Sequence, residues 1–463
     1  MCSQHSEFGA SSEHSSNRRG TALPTETPPG PAGLPILGNA RSLIGDTRAF
    51  FDEMSTYGDV VSYRLPRMDF CTVLHPDLIE QILLVDYAQY EKWGLEDFGG
   101  EFAPNGVLMT DGDQWRRQRT MLQDAFTVER IRSYGETMAR SAEELVADWD
   151  DGEEIALNRA FSTLTLDLLT RSLFDLKLDE SGSIVTEFAK TLNDRGSLDG
   201  LSTFVPMWIP TPENRRYNRV LSEFRSFIEG LIDDRRGRED EYDDLLSLLL
   251  TVEDADGNTM SETEIRDQMM TFLFAGHETT SLALTYTFLE LAKNRSVRDK
   301  LDAEHDAILG GQTPTLGDLT ELTYTEKVIR ESLRLYPPAF IMFRKTTEDV
   351  ALGGYRIPEG TRITLPQFFV HTDERWYDDP GTFDPDRWTE EFEDSRPDYA
   401  YFPFGGGPRH CIGMRFAMLE LKTMLPTIAQ SVEFELLSDP NPDLEMATTL
   451  RPAEDIRARV KRR

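Results

Sequence analysis

The sequence predicts a mainly α-helical protein with a small β portion. Apolar residues recur at helical spacing through most of residues 127–237, and a long, mostly apolar helix is expected at 261–293. Strand-like alternation is limited to short runs at Val60–Leu65, 70–74, 340–344 and 362–365. No repeat or second-domain linker is evident, so we expect one domain over residues 28–463 after a disordered polar tail at 1–27.

The charge balance is strongly acidic. The 463 residues include 82 Asp and Glu against 49 Lys and Arg, a formal net charge of −33. This balance disfavours nucleic-acid binding as a main function, because phosphate contacts need a basic face. The acids are spread along the chain, which favours a solvated surface suited to a high-salt cytoplasm over a site for one particular partner.

The cysteines and the N-terminal segment indicate a reducing, cytoplasmic location. The chain contains only Cys2, Cys71 and Cys411, so no disulfide framework is expected. Residues 1–27 lack the apolar segment of a signal peptide. No run approaches the about 18 apolar residues that a membrane span needs.

Two irregular segments interrupt the helices of the first half of the chain. Residues 91–110 are rich in glycine, and long loops of this kind are often functional. The helix that follows carries Trp115 and Arg119, which lie four residues apart and therefore share a face. A second break, near Phe204 and Trp208, is interpreted as a mobile lid.

The long helix begins with a capping box and has an unusual centre. Ser261 and Glu264 have the capping-box spacing. The centre reads Ala275-Gly276-His277-Glu278-Thr279-Thr280, and small residues beside an acid and hydroxyls are a poor choice for packing alone. A helical threonine most often returns its hydroxyl to the carbonyl one turn earlier, so Thr279 taken alone also has a structural interpretation. We assign His277 no role.

A glycine-rich loop at residues 404–413 carries Cys411 at the point where a helix starts. That helix is expected to run from 414 to about 425, with Pro426 near its end. Free backbone N–H groups and the helix dipole favour a thiolate at this position, which can be a nucleophile, a redox group or a metal ligand. A zinc site needs three or four ligands, whereas a haem iron needs only one from the protein, so a lone cysteine favours haem among the metal sites.

Five motifs, taken together, resemble those of the cytochrome P450 family. They are Trp115-x-x-x-Arg119, Ala275-Gly276-x-Glu278-Thr279-Thr280, Glu331-x-x-Arg334, Pro380-x-x-Phe383-x-Pro385-x-Arg387 and Phe404-x-x-Gly407-x-Arg409-x-Cys411-x-Gly413. The resemblance extends from Pro28 onward and is to soluble prokaryotic members, with a halophilic source expected from the acidity. It implies the P450 fold, with haem between the long central helix and the helix after the cysteine loop.

The resemblance also implies roles for individual residues. The cofactor-binding residues are Cys411 on the iron, Arg409, Arg119 and Arg344 with Trp115 at the propionates, and Phe404, Gly413 and Ala275. Glu331, Arg334 and Arg387 are implied to form a buried structural ion-pair cluster, although the first two alone could be a surface pair worth about 0.2–0.5 kcal/mol. The implied substrate contacts are Phe272, Phe274, Ala339, Phe340, Ile341 and Thr448.

The activity implied by the resemblance is insertion of one oxygen atom from O2 into a lipophilic substrate, such as a fatty acid, an isoprenoid or a carotenoid-like molecule. The cofactor would be haem b, Thr279 would hydrogen-bond the dioxygen, and Glu278 would relay protons as a general acid. Electrons are expected from a separate ferredoxin- or flavodoxin-type carrier, and the protein is expected to be a monomer. Two alternatives stay open: a peroxide-using or isomerising haem-thiolate enzyme, which often lacks the acid–threonine pair retained here, and a non-enzymatic haem sensor.

Overall fold

Helices dominate the computed structural model, which describes residues 23–93, 102–175, 182–197, 205–242 and 244–463. The helices are α1 (Ala40–Gly45), α2 (Thr47–Ser55), α3 (Pro76–Glu80), α4 (Gly112–Gln123), α5 (Val128–Ser133), α6 (Gly135–Ala147), α7 (Leu157–Phe174), α8 (Gly182–Gly196), α9 (Pro212–Arg235), α10 (Leu245–Thr251), α11 (Glu262–Lys293), α12 (Arg295–Ile308), α13 (Thr323–Leu335), α14 (Gln367–Val370), α15 (Glu390–Ser395) and α16 (Met414–Ser431). Within these ranges no helix combines the length and apolar character needed to cross a lipid bilayer. The predictions for residues 1–22, for Phe204 and for part of the loop at 91–110 lie outside the described residues.

The β portion is small, so the predicted fold class is confirmed. The strands are β1 (Val60–Leu65), β2 (Met68–Val73), β3 (Tyr90–Glu91), β4 (Glu154–Ala156), β5 (Ile341–Thr346), β6 (Val350–Leu352), β7 (Tyr355–Ile357), β8 (Arg362–Pro366), β9 (Val432–Leu436), β10 (Leu444–Met446), β11 (Leu450–Pro452) and β12 (Arg457–Arg462). The largest sheet has the order β1-β2-β8-β5-β3, in which β2 and β8 run parallel and the other pairs antiparallel. Strands β4, β12 and β9 form a second sheet, and β6–β7 and β10–β11 are hairpins.

The long helix α11 crosses the core, as the sequence predicts. A capping box starts it: the Ser261 hydroxyl accepts from the Glu264 N–H at 3.2 Å, and the Glu264 carboxylate accepts from the Ser261 N–H at 2.9 Å. Met260 and Ile265, which flank this box, are both buried. The helix packs along α7 and also contacts α9, α13 and α16, so its centre is fixed from several sides.

Helix α16 is longer than predicted. It continues through Pro426 to Ser431, so the expectation that the helix ends near 425 is wrong. A proline inside a helix loses a hydrogen bond and costs about 3 kcal/mol or more. Burial of apolar side chains offsets this cost, at about 1.5–3 kcal/mol for each large one. Five apolar residues of this helix are at most 1% exposed: Leu421, Met424, Leu425, Ile428 and Ala429.

The helix that begins at Pro76 changes its geometry before it ends. Residues Pro76–Glu80 are α-helical, whereas Gln81–Val85 form a π-helical turn. The π-helical turn packs against the short turn Gly407–Arg409 of the cysteine loop. This segment therefore forms part of the support beneath the candidate site.

Candidate active site

The cysteine loop is folded tightly against its support. Gly407 has a φ of 62°, and a Cβ at this position would lie 1.8 Å from the carbonyl oxygen of Leu83. Only glycine tolerates both the left-handed conformation and this close approach. The Cys411 N–H donates to the carbonyl of Phe404 at 2.8 Å and closes the loop. Backbone contacts thus place Cys411 at the start of α16.

Cys411 is an exposed residue, yet protein surrounds its thiol group and raises the pKa of that group. Cys411 is exposed, whereas Cys71 is buried. Burial of the thiol by the surrounding protein raises the pKa of Cys411, and this outweighs the Gly413 N–H and the charge of Arg119, which act in the opposite direction. A thiolate at Cys411 stays a prediction. A coordinated metal cation deprotonates a thiol outright, so a metal ligand remains compatible with this environment.

The centre of α11 is less buried than the turns on either side of it. Ala275, Gly276, Glu278 and Thr279 are half-buried, although most of this helix is fully buried. Ala275 packs in the same hydrophobic cluster as Phe404 of the cysteine loop. Helix α11 also contacts α16, the helix that follows the cysteine loop.

Thr279 and Glu278 are held in different ways. The Thr279 hydroxyl donates to the carbonyl of Ala275 at 2.8 Å, the bond expected of an isolated helical threonine. Glu278 instead reaches across to other elements: its Oε1 accepts from Nδ2 of Asn193 at 2.7 Å and from the Thr449 hydroxyl at 3.1 Å. Neither partner of Glu278 is predictable from a motif, because one lies on α8 and the other in the turn between β10 and β11.

His277 is a core residue. It is 1% exposed, and its Nδ1 lies 2.7 Å from the carbonyl oxygen of Leu273. Burial lowers the pKa of the imidazole, although Glu278 acts in the opposite direction. The neutral ring is satisfied within its own helix, which explains why it has no evident part in the site.

A cluster of cations lies on the side of the site formed by α4, β3 and β5. The Arg409 guanidinium lies over the Trp115 ring, 4.3 Å from its centroid, and pairs with Asp111. Arg344 is 4% exposed, and burial together with the charge of Arg409 lowers its pKa to about 10. Burial and these two arginines lower the pKa of Lys92 to about 7, while Asp111 acts in the opposite direction. Buried cations need anionic partners, so this cluster favours an anionic ligand.

Arg119 connects this cluster to the cysteine loop. Its Nη2 lies 3.4 Å from Nε2 of His410, next to Cys411. Burial lowers the pKa of Arg119, and Cys411 partly opposes that shift. Lys92 is the member of the cluster that sequence reasoning missed, because a single lysine at the end of a short strand carries no spacing signal.

The predicted ion-pair cluster is assembled in the core. The side chains of Glu331 and Arg334 are 0% exposed, and Arg334 contacts the two carboxylate oxygens at 2.8 and 2.9 Å. Arg387 and Trp388 add further bonds to the same carboxylate at 2.9 and 3.0 Å. The remaining donors of Arg334 meet backbone carbonyls in the segment after α14. The cluster ties α13 to the irregular chain that leads to the cysteine loop.

The two predicted phenylalanine contacts on α11 lie on different faces. Phe274 lies against Phe102 and Phe188, with ring centroids 5.4 and 6.2 Å away. Phe272, two residues earlier, packs against Phe126 at 5.4 Å. Only Phe274 of the pair therefore joins the aromatic group formed with α8 and the chain before α4.

The other predicted substrate contacts also separate. Phe340 is 1% exposed and packs against Phe368 at 6.0 Å, which makes it a core residue of the β-rich side. Ala339 is exposed and Ile341 is half-buried. Thr448 donates its hydroxyl to Asn193 and thus lies beside the partners of Glu278.

Hydrogen bonds hold part of the segment around Trp208 that the sequence predicts to be a mobile lid. Trp208, before α9, is 82% exposed. The Asn214 side-chain amide donates to the carbonyls of Pro206 and Ile209 at 3.1 and 2.8 Å. Movement of this segment stays a prediction.

Comparison with known proteins identifies the family. The cytochrome P450 family model matches residues 28–458. This chain belongs to the cytochrome P450 family. As a P450 of prokaryotic type it is an oxidoreductase of the monooxygenase class. The family match therefore includes the segments that carry Glu278–Thr279, Glu331–Arg334 and Cys411.

Three bacterial relatives are between 32% and 35% identical in sequence to this P450. Cyclooctatin synthase of Streptomyces melanosporofaciens is 35% identical over 86% of this chain and 88% of its own length. Cyclooctat-9-en-7-ol 5-monooxygenase of the same organism is 33% identical over 88% and 89%. Pentalenene oxygenase of Streptomyces avermitilis is 32% identical over 91% and 94%. The fold is similar to retinoic acid-bound cyanobacterial CYP120A1, with a TM-score of 0.84 and 25% identity over 96% of this chain and 100% of that one.

The site of this P450 fits the haem that the family implies. Of the two cysteines that the structure describes, Cys411 is exposed, which meets the need of a haem iron for one protein ligand. The cationic cluster consists of Lys92, Arg344 and Arg409. Among the described residues, Asp111 is the one carboxylate that raises the pKa values of these three groups. Two propionates would supply the missing negative charge, and arginine forks suit them because they bind carboxylates bidentately.

Proposed function

We propose that this P450 hydroxylates an isoprenoid of terpene type, with haem b as cofactor. The observation that carries the substrate class is the aromatic group of Phe102, Phe188 and Phe274, which brings three chain segments together directly before the half-buried stretch of α11. A rigid, apolar wall of this kind suits a bulky hydrocarbon skeleton better than a flexible polar ligand. The names of two relatives, for cyclooctat-9-en-7-ol and pentalenene, support the same class.

The reaction takes a C–H bond, O2, two electrons and two protons to an alcohol and water. Bound haem supplies the activation of dioxygen and the transfer of one oxygen atom to the substrate. The chain supplies the thiolate of Cys411 as ligand, and Phe404 shields that sulfur. Lys92, Arg344 and Arg409 fix the cofactor by its carboxylates.

Glu278 and Thr279 deliver protons to the site of the reaction. Among the described residues Glu278 uses Oε1 for both of its hydrogen bonds, and Oε2 accepts none. Oε2 can therefore take a proton from water and pass it on as a general acid, directly or through one water. The Thr279 hydroxyl donates to Ala275, so its oxygen can accept that incoming hydrogen bond.

The electron donor in this proposal is a separate ferredoxin- or flavodoxin-type protein. Arg415 is exposed on the first turn of α16, next to the cysteine loop. Lys422 on the same helix pairs with Glu326 at 2.8 Å. We expect Arg415→Gln to slow reduction by an acidic donor more than Lys422→Gln does, in stopped flow at low salt. Equal reduction rates in both variants and the unaltered protein would contradict a role for this face.

A ligand screen tests the substrate class. A sesquiterpene hydrocarbon, a diterpene alcohol, a carotenoid and a long-chain fatty acid are titrated against the Soret band and then incubated with a surrogate donor system. We expect the two terpenes to shift the band and to yield products one oxygen atom heavier. Preferential binding and oxidation of the fatty acid would overturn the proposal.

The two phenylalanines of α11 provide a matched pair for the same assay. Phe274→Leu should weaken terpene binding about two- to tenfold, as expected from loss of about 0.5–1.5 kcal/mol of aromatic contact. Phe272→Leu removes a ring of the same size from a face that packs on Phe126 and should leave the dissociation constant nearly unchanged. Equal losses in both variants would show that the aromatic group does not contact the substrate.

A further inference from the structure

Glu278 is the meeting point of three separate parts of the chain. Its own helix is α11, Asn193 comes from α8, and Thr449 comes from the turn between β10 and β11. Asn193 is 1% exposed and Thr449 is 4% exposed, so both donors are withdrawn from solvent. We infer that Asn193 and Thr449 are positioning residues for the relay acid Glu278 and that they couple its orientation to the seating of α8; this inference rests on the proposed function.

The orientation of the Asn193 amide is fixed by the chemistry of its neighbours. A carboxylate only accepts hydrogen bonds, so the NH2 group of Asn193 must face Glu278. The amide oxygen then faces the turn, where it accepts from the hydroxyl of Thr448, while the single proton of the Thr449 hydroxyl is donated to Glu278. The result is a directed chain of donors from the turn through Asn193 to Glu278.

The same contact seats α8 on the C-terminal turn. A Cβ on Gly196 would lie 2.6 Å from Cγ2 of Thr448, so the helix backbone lies directly on that side chain. Asp194 adds an ion pair with Arg451 at 3.2 Å. Phe188, on the same helix, belongs to the aromatic group that we assign to the substrate. A displacement of α8 would therefore open the aromatic group and remove a donor from Glu278 together.

This coupling has a consequence for proton delivery. When α8 is in place, two hydrogen bonds hold Oε1 of Glu278. Because the carboxylate is planar and rigid, they also fix the direction of Oε2. With α8 displaced, the carboxylate loses its amide partner and its fixed direction. Protons then reach the site efficiently only when α8 is closed over the substrate, which limits wasteful use of electrons.

The first test measures coupling, the fraction of electron pairs that end in product, with a surrogate donor. Asn193→Ala and Thr449→Val should each lower coupling about tenfold. This is less than the loss expected when the general acid itself is removed, because a general acid contributes about 10²-fold or more. Glu187→Gln is the matched control: it removes an exposed ion pair between α8 and Arg216 of α9, away from the C-terminal turn, and should stay within about twofold of the unaltered protein. In a Glu278→Gln background, Asn193→Ala should have no further effect, whereas a merely structural role would lower coupling in both backgrounds.

The second test needs no turnover. Because coupling between two sites is reciprocal, removing Glu278 should loosen α8. We expect amide hydrogen exchange of residues 190–196 to speed up about tenfold in Glu278→Ala and to stay unchanged in Thr279→Ala, its neighbour on α11.

The outcomes distinguish this inference from the proposed function. If Glu278→Gln leaves coupling unchanged, the relay is wrong and the positioning role falls with it. If Glu278→Gln lowers coupling while Asn193→Ala and Thr449→Val do not, the relay stands and the positioning role is wrong. Unchanged exchange of α8 in Glu278→Ala also overturns the positioning role. Thr449→Val preserves side-chain shape and keeps the test decisive if Asn193→Ala fails to fold.

Discussion

Two glutamates on adjacent helices, Glu331 on α13 and Glu278 on α11, are bound by the fold in opposite ways. Glu331 is fully buried, and both oxygens are taken by Arg334, with Arg387 and Trp388 adding further donors. Glu278 is half-buried and is held through one oxygen by an amide and a hydroxyl. One carboxylate is bound mainly by cationic side chains, and the other accepts hydrogen bonds from neutral donors.

The difference lies in what surrounds each carboxylate. Guanidinium groups occupy the Glu331 carboxylate and tie it to two chain segments, so its role is structural. Three other buried acids also pair with a basic side chain. Asp244 pairs with Arg235, Asp267 with Arg266, and Glu290 with Lys293. Glu278 departs from the pattern, because its hydrogen-bond donors among the described residues are a neutral amide and a neutral hydroxyl.

Removal of the saturated acid should have the largest effect. Glu331→Gln leaves the buried cations Arg334 and Arg387 without a counter-charge and should lower the free energy of unfolding by about 3–5 kcal/mol. Urea unfolding of the haem-loaded protein measures this change. Asp69→Asn breaks an exposed pair with Arg64 and should cost at most about 1 kcal/mol. Similar losses in the two variants would remove the distinction between Glu331 and an ordinary surface acid.

Neutralisation of the relay acid should affect chemistry and spare stability. Glu278→Gln keeps the shape of the side chain but cannot deliver a proton, so product formation should fall about 10²-fold. The free energy of unfolding should change by less than about 1 kcal/mol, because no buried cation loses its partner. Product formation and electron consumption are measured together at saturating substrate. A variant that is unstable yet fully active would reverse the assignment of the two glutamates.

Lys92 extends the comparison from acids to bases, with a smaller effect. Without cofactor its pKa is about 7, lowered by burial and by Arg344 and Arg409. Propionates beside it would raise that pKa, so haem binding takes up a proton above pH 7 and haem affinity should fall as pH rises, by up to about tenfold per pH unit. Below about pH 7 Lys92 is already charged, and this dependence disappears.

The measurement for Lys92 is haem transfer to an acceptor protein between pH 6 and 9. Lys92→Met should bind haem more weakly at pH 7 and lose the part of the pH slope that Lys92 contributes. Lys345→Met removes a nearby lysine that already pairs with Glu91 and serves as the matched control. The same slope in Lys92→Met and the unaltered protein would exclude Lys92 from the propionate site.

Local patterns in the sequence predict the parts of this site that local physics determines. The capping box at Ser261 and Glu264 depends on residues three apart, and the cysteine loop depends on glycines beside Cys411. The partners of Glu278 lie 85 and 171 residues away, so no local pattern predicts them. Pro426 shows the same limit in the fold, because tertiary burial decided whether the helix continued.

The charge state of Cys411 also depends on the fold. From the sequence, a helix N-terminus predicts a stabilised thiolate, whereas the structure surrounds the thiol with protein and raises its pKa. The amount of burial at one atom depends on how distant elements pack, which a motif does not specify. The acidic surface, in contrast, follows from composition alone, and the halophilic source stays a prediction.

Isotope labelling tests the central claim, that Cys411-ligated haem with Glu278 and Thr279 forms a monooxygenase site, most directly. The protein, a surrogate donor and the terpene selected by the screen are incubated under ¹⁸O₂ in unlabelled water, and the product is analysed by mass spectrometry. The account predicts that each hydroxylated product carries a single ¹⁸O atom and that Cys411→Ala yields none. Product whose new oxygen comes from water or from added peroxide, or labelled product from Cys411→Ala, would contradict it.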